Sequence, residues 1–238
     1  MHLWPPDSGR VRVIKVLVAC EFSGIVREAF RKRGHDAWSC DLLPTEIPGQ
    51  HIQGDVLEIL DDGWDLIIAH PPCTYLSSSG LHWNKRIQGR EALTHEAMLF
   101  VFNLIGEGFI HHNTPKIALE NPIGCISSKY RKPDQIIQPW MFGHDASKST
   151  CLWLKGLPLL VPTKIIEPNY RCKCGNSFSK ELGKYGCPNC NGDNGAAKLV
   201  HANQTPSGQN KLGPSPDRWK NRSRTYIGIA EAMAEQWS

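Results

Sequence analysis

A cysteine directly after two prolines, at the end of an apolar run, is the part of this chain best suited to chemistry. The stretch Trp64-Asp65-Leu66-Ile67-Ile68-Ala69-His70-Pro71-Pro72-Cys73-Thr74 reads as a buried strand stopped by rigid turn residues. Pro71 and Pro72 fix the backbone at a strand's carboxyl end, where open α/β sheets receive their ligands. The Cys73 thiol is thereby offered to a cleft. A second short strand, Lys116-Ile117-Ala118-Leu119-Glu120-Asn121-Pro122, ends in an acid and an amide. A thiol nucleophile beside a carboxylic acid can attack an electron-poor ring and protonate it as the bond forms. Each residue also has a plainer use, Cys73 as a small core residue and Glu120 as a helix cap.

A second constellation has metal-ligand spacing. Cys172 and Cys174 form one pair, Cys187 and Cys190 another, with twelve residues between the pairs. Four thiolates satisfy the tetrahedral demand of structural Zn2+ and leave no open coordination position for catalysis. Gly175 and Pro188 suit the tight turns such ligands need. The segment has too few apolar residues to order itself, so metal binding would supply its order. Free thiols or a redox pair are the other uses of such a set. The first pair is C-x-C, one residue shorter than the usual spacing. The scattered histidines, including His111-His112, have no metal spacing and read as surface or core residues.

The elements that must position these groups alternate. Val13–Cys20 is a strand rich in β-branched residues, followed by the turn Glu21-Phe22-Ser23-Gly24 and a helix over about Ile25–Arg33. Asp36–Asp41 is a second strand ending in an acid, and Gly54-Asp55-Val56 closes a further short segment. A helix over about Arg90–Phe109 leads to the Glu120 strand, and Thr150–Leu154 is another strand. This alternation implies a Rossmann-like α/β domain, a parallel sheet with right-handed crossovers and helices on both faces. The expected organisation is a flexible lead-in over 1–12, the α/β domain over 13–160, a small zinc-bound insertion over 161–216, and a segment over 217–238 whose helix Ile227–Trp237 packs back on the sheet. No repeat or low-complexity tract is evident.

The 238 residues suffice for one full core with a small insertion. No apolar run approaches the roughly 20 residues that span a bilayer, so no membrane partner is expected. The amino terminus shows no secretory signal, and nine cysteines, an odd number, favour a reducing cytoplasm. Charge is uneven. Residues 1–159 hold 16 Lys and Arg against 17 Asp and Glu, a net −1; residues 160–238 hold 11 against 6, a net +5. The basic end, which includes Lys164, Arg171, Lys173, Lys180 and Lys184, suits a polyanion such as nucleic acid. A solvated surface uses the same residues equally well.

Cytosine is a ring on which both Cys73 and Glu120 would be needed. Its position 5 is not nucleophilic until a nucleophile adds to position 6 and position 3 is protonated. Here the chain resembles the DNA (cytosine-5) methyltransferase family, including the compact forms found in bacterial viruses, over most of residues 13–160 and about the last fifteen. Pro72-Cys73 is similar to the family's catalytic Pro-Cys, and Glu120-Asn121 to its Glu-Asn. Val18-Ala19-Cys20-Glu21-Phe22-Ser23-Gly24 resembles the cofactor-binding turn. The resemblance implies that Cys20, Glu21, Phe22, Ser23 and Gly24 line an S-adenosylmethionine site. Asp41, beside Leu42, would hold the ribose, and Asp55 with Val56 would meet the adenine. Pro71 would border the same site, and Tyr226–Ala232 resembles the motif that completes it. The motif order is that of the unpermuted family.

The departures bear on specificity. Thr74 stands where the family has Gln, and Ile25 and Val26 follow Gly24 where more glycines are usual. The family's Arg-rich segment that orders the target base is replaced by residues 142–150, in which Lys148 and Thr150 are the substitutes. Arg222 and Arg224 are the other source of that charge. Some fifty residues around the cysteine pairs stand in for a large target-recognition domain. The resemblance implies modification of cytosine C5 in DNA, methyl transfer by default, with another one-carbon or functionalised donor as the rival. An amino-group methyltransferase fits less well, because His70 and Cys73 miss its motif. A catalytically inactive zinc-containing DNA-binding protein is the non-enzyme reading. Protein partners are not indicated.

Overall fold

The computed structural model describes residues 12–108, 112–172, 174–179, 181–182, 187–190, 197–205 and 210–238. Most of the lead-in (1–11), Phe109, His111, Lys173, Lys180 and Lys184 lie outside the described residues. In chain order the elements are β1 (Lys15–Ala19), α1 (Ile25–Lys32), β2 (Asp36–Asp41), β3 (His51–Gln53), β4 (Leu66–Ala69), α2 (Ser78–Leu81), α3 (Arg90–Leu104), β5 (Lys116–Pro122), α4 (Ile126–Lys129), β6 (Gln135–Ile137) and β7 (Thr150–Lys155). There follow β8 (Asn169–Cys172), β9 (Ser177–Phe178), β10 (Ala197–Val200), α5 (Arg218–Ser223) and α6 (Ile227–Gln236). Among the described residues no helix is long and apolar enough to cross a membrane.

The fold is mixed α/β and Rossmann-like. Seven strands form one sheet in the order β3-β2-β1-β4-β5-β7-β6. β1 to β5 run parallel, and β7 runs antiparallel to both its neighbours. An all-parallel sheet is therefore corrected at this edge. A parallel return needs a crossover of a dozen or more residues, usually a helix, and between β6 and β7 the chain forms only the three-residue turn Pro139–Met141. The α3 helix ends at Leu104, short of the expected Phe109, and Gly106 turns the chain at φ 74°.

Strand alternation sorts the core. Val16 and Val18 of β1 join Leu66, Ile68 and Ala118 under α1 and α6, whose Phe30, Ala230, Met233 and Ala234 are buried. Leu17 and Ala19 face the other way with Ile67, Ala69, Ile117 and Leu119, under Met98, Val101 and Leu104 of α3. Each face of the sheet thus has its own helical cover, as the continuous apolar runs require. The α6 helix packs back on the sheet, and Trp237 just beyond it is buried and donates its indole N–H to the Pro158 carbonyl at 3.0 Å. Backbone bonds from Thr163, Lys164 and Ile166 to Met141 and Trp140 keep the chain on this body as far as Ile166. Beyond it, β10-β8-β9 form a separate antiparallel sheet.

Candidate functional site

Register brings the two strand-end candidates together. Ala69 pairs with Leu119 across β4 and β5, so the next residue on each strand, His70 and Glu120, leaves the sheet on the same face. His70 Nδ1 lies 3.2 Å from Glu120 Oε2, with side chains only 9% and 16% exposed. Asn121 donates its Nδ2–H to the Pro71 carbonyl at 2.8 Å, tying the β4 turn to β5. Pro71 is buried, whereas Pro72, Cys73 and Thr74 are exposed. The Cys73 carbonyl accepts N–H groups from Leu76 and Ser77, which closes the turn that sets the thiol. A β-carbon at Gly124 would overlap the Leu76 carbonyl. Glycine there lets the segments following β4 and β5 meet.

The third wall comes from the approach to β7. Thr150 is buried and pairs with Pro122, and the Lys148 ammonium donates to the Arg222 carbonyl at 2.9 Å. Gln138 holds this approach by accepting the Lys148 N–H at 2.9 Å and donating to Ser149 Oγ at 2.6 Å. Burial pulls the Glu120 carboxyl upward. The His70 hydrogen bond, the Lys148 charge and the Thr150 hydroxyl outweigh it and hold the group below the usual carboxylate range. The ionised carboxylate is thereby the favoured form of Glu120 in the free site. Cys73 reaches solvent, yet its walls push the thiol upward. The Glu120 charge adds to that, and Lys148 and Arg222 offset it only in part. Arg224 instead pairs with Glu46 at 2.6 Å, so of the two C-terminal arginines it is Arg222 that acts on Cys73.

Strand order reverses at β1, and the crevice outside the ends of β1 and β4 is where such sheets bind ligands. Cys20 opens it with φ 59°, a left-handed conformation costly for a residue with a β-carbon. Its thiol is pushed far upward by burial and then by Asp41, Cys40 and Asp55, which converge on it. Asp41 is half-buried at the tip of β2, takes the Leu43 N–H at 3.0 Å, and is raised by burial. Leu42 beside it is exposed. Asp55 is exposed and caps the turn Val56–Ile59 through the Leu57 N–H, with Val56 buried beneath. Glu21 does not face the crevice. Its carboxylate caps α1, accepting the N–H groups of Val26 at 2.7 Å and Arg27 at 3.2 Å and the Ser23 hydroxyl at 3.1 Å. Gly24 enters α1 at φ 74°, where a β-carbon would stand 2.7 Å from the Arg27 guanidinium. Phe22 is buried with its ring 5.9 Å from that of Trp219 in α5. Two acceptor carboxylates and an aromatic wall at a switch point fit the hydroxyl and amino donors of a nucleoside.

The four cysteines of the insertion come together. Their sulfurs all lie within 4.8 Å of one another, with Cys172–Cys190 and Cys174–Cys187 each at 3.6 Å. A tetrahedron of sulfurs about 2.3 Å from zinc has edges of about 3.8 Å, so the set can hold a metal ion such as zinc. Burial opposes ionisation of Cys187, but the N–H groups of Asn189 and Cys190 and the neighbouring thiols bring it down to about 6. Cys174 is lowered as well, first by the Asn176 N–H. All nine cysteines are free thiols.

A scan against protein-family models finds no match for this chain, and a search of curated proteins finds no relative. Three functional neighbours escaped the sequence reading. His70, taken with the other histidines as surface or core, stands against Glu120. Trp219 covers Phe22. Asn203 joins the insertion's return strand to the Lys148 loop through paired 2.9 Å bonds with the Ser147 backbone. Only His70 left a trace in sequence: it precedes Pro71 as Glu120 precedes Asn121, one step beyond each apolar run. His112 and His201 are bonded structural residues, to Thr114 and Asp145 respectively.

Proposed function

We propose that this protein modifies position 5 of cytosine in DNA through a covalent adduct at Cys73, with methyl transfer from S-adenosylmethionine as the default reaction. The observation that carries the reading is the meeting of Cys73, Glu120, Lys148 and Thr150 at the ends of β4, β5 and β7. Cys73 attacks C6, favoured by the positive charge of Lys148 and Arg222. Glu120 meets the N3 edge, and Asn121 keeps Pro71 and Pro72 rigid behind the nucleophile. Asp41, Asp55, Phe22 and Gly24 would hold the donor, which when bound supplies an electrophilic methyl group. Cys172, Cys174, Cys187 and Cys190 hold structural zinc in this reading. A base inside a duplex must leave the stack to reach Cys73, and the basic end of the chain holds phosphates around it.

Two measurements on the protein and its Cys73→Ala variant test this. DNA carrying 5-fluorocytosine blocks loss of the C5 substituent, so the active protein should remain covalently attached and the variant should not. Nucleosides from DNA of cells expressing each protein should show a Cys73-dependent mass increase on deoxycytidine. Firm DNA binding with neither an adduct nor a mass change would sink the enzyme reading in favour of a DNA-binding protein.

A further inference from the structure

His70 has no task in the scheme above, yet it is built into the floor of the site. Its backbone N–H bonds to the Ala19 carbonyl at 2.9 Å, and its ring is held against Glu120. An ionised carboxylate only accepts hydrogen bonds, so Nδ1 carries the hydrogen between them. The ring's other nitrogen, Nε2, is buried and has no partner. That is a cost a packing residue would avoid. The charged and titratable groups acting on Glu120 come from each neighbouring element: His70 after β4 and Lys148 before β7, with the Thr150 hydroxyl beside them. Its charge is in turn felt by Cys73 and by Cys151 of β7. His70 is the one group among these whose ring both bonds directly to the carboxylate and has a second nitrogen able to carry a proton.

We propose that His70 is a positioning residue of the cytosine reaction: its Nδ1–H orients Glu120, and the pair together carries the proton that N3 takes up as sulfur adds at C6. This rests on the function proposed above. The Cys73 thiol gives its proton to solvent, and the electron pair of the thiolate forms the C6–S bond. The ring's π electrons move through C5 and C4 to N3, and N3 takes one proton from the pair. The pair enters with a proton on each imidazole nitrogen beside the carboxylate and leaves as neutral imidazole and carboxylate. The adduct is a neutral enamine, and the pair is one proton poorer. In deuterated water C5 of the enamine takes up a deuteron and then loses a proton. Breaking the C6–S bond returns the N3 proton to the pair and the electrons to sulfur. This cycle leaves deuterium at C5 and needs no methyl donor.

The test is therefore C5 hydrogen exchange on mixed-sequence DNA without donor, read by mass spectrometry of deoxycytidine across pH. Wild-type protein should exchange and Cys73→Ala should not. His70→Ala should slow exchange about 100-fold, the low end of what acid–base groups contribute. His70→Asn offers an amide N–H in place of Nδ1–H but does not titrate. It should keep the rate within a few-fold at low pH, while the decline at rising pH moves to lower pH, because Glu120 alone sheds the proton sooner. Circular dichroism on both variants establishes that they fold. Curves for both variants that overlay the wild type, or that scale down without moving along the pH axis, would overturn the role of His70 and leave the function standing. No Cys73-dependent exchange by the wild type would overturn both.

Discussion

The seven-stranded body and the three-stranded insertion differ most in how much apolar surface they bury. The body encloses two apolar clusters, one under α1 and α6 and one under α3, each built from about a score of buried side chains among the described residues. The corresponding cluster in the insertion is Cys172, Phe178 and Cys187, with Tyr170 stacked on Phe178 at 5.7 Å. Two of those three are members of the cysteine set. Burial at roughly 25 cal/mol per Å2 can hold the first region, whereas the described residues of the second bury little and its four cysteines can hold a metal ion where a core would otherwise be. The groups assembled at Cys73 come from the body or from α5, and among the described residues His201, Ala202 and Asn203 join the insertion to the loop before β7.

The comparison can be broken most forcefully at the metal. Chelation, or Cys187→Ser, should remove about one ion per chain and with it a binding free energy of about 10–16 kcal/mol. Hydrogen exchange should then show β8 and β10 unprotected while β1, β4 and β5 stay protected. Loss of protection throughout would mean that the body depends on the metal too. The reciprocal change is Phe30→Ala, which truncates a fully buried side chain of α1 and should lower the body's unfolding free energy by about 3–5 kcal/mol. Metal content should be unchanged.

Smaller effects sharpen the seam. Asn203→Ala removes both bonds to the Ser147 backbone and should cost about 1–2 kcal/mol, seen as faster exchange of the N–H groups of residues 145–148. The smallest effect concerns Cys73 alone. Its thiol is raised by burial and by the Glu120 charge and is relieved by Lys148. Glu120→Gln should therefore lower the thiol's pKa and speed alkylation of Cys73 by iodoacetamide several-fold at pH 7–8, even as reaction with DNA is lost. Lys148→Ala should move it the other way. In both variants the rate should climb with pH, because the thiolate is the reacting form.

Much of this arrangement is present in short windows of sequence. The runs Lys15–Ala19 and Leu66–Ala69 are strands because β-branched and aliphatic residues bounded by turn formers have little else to be. The Pro71-Pro72-Cys73 stop and the Glu120-Asn121-Pro122 stop mark two strand ends that the fold brings side by side. The spacing of Cys172, Cys174, Cys187 and Cys190 announced a ligand set that the fold does bring together. Dihedral preference, hydrophobic period and ligand spacing are local, and local properties survive in a one-dimensional string. The reversed edge β7, the meeting of His70 with Glu120, the turning of Glu21 into α1 and the arrival of Arg222 beside Lys148 were decided only by the tertiary structure. These pairings span from a few residues to more than seventy along the chain. So was the ionisation of Glu120. A carboxyl's proton affinity follows the charges and hydrogen bonds around it, and strand register, not neighbouring sequence, sets those distances.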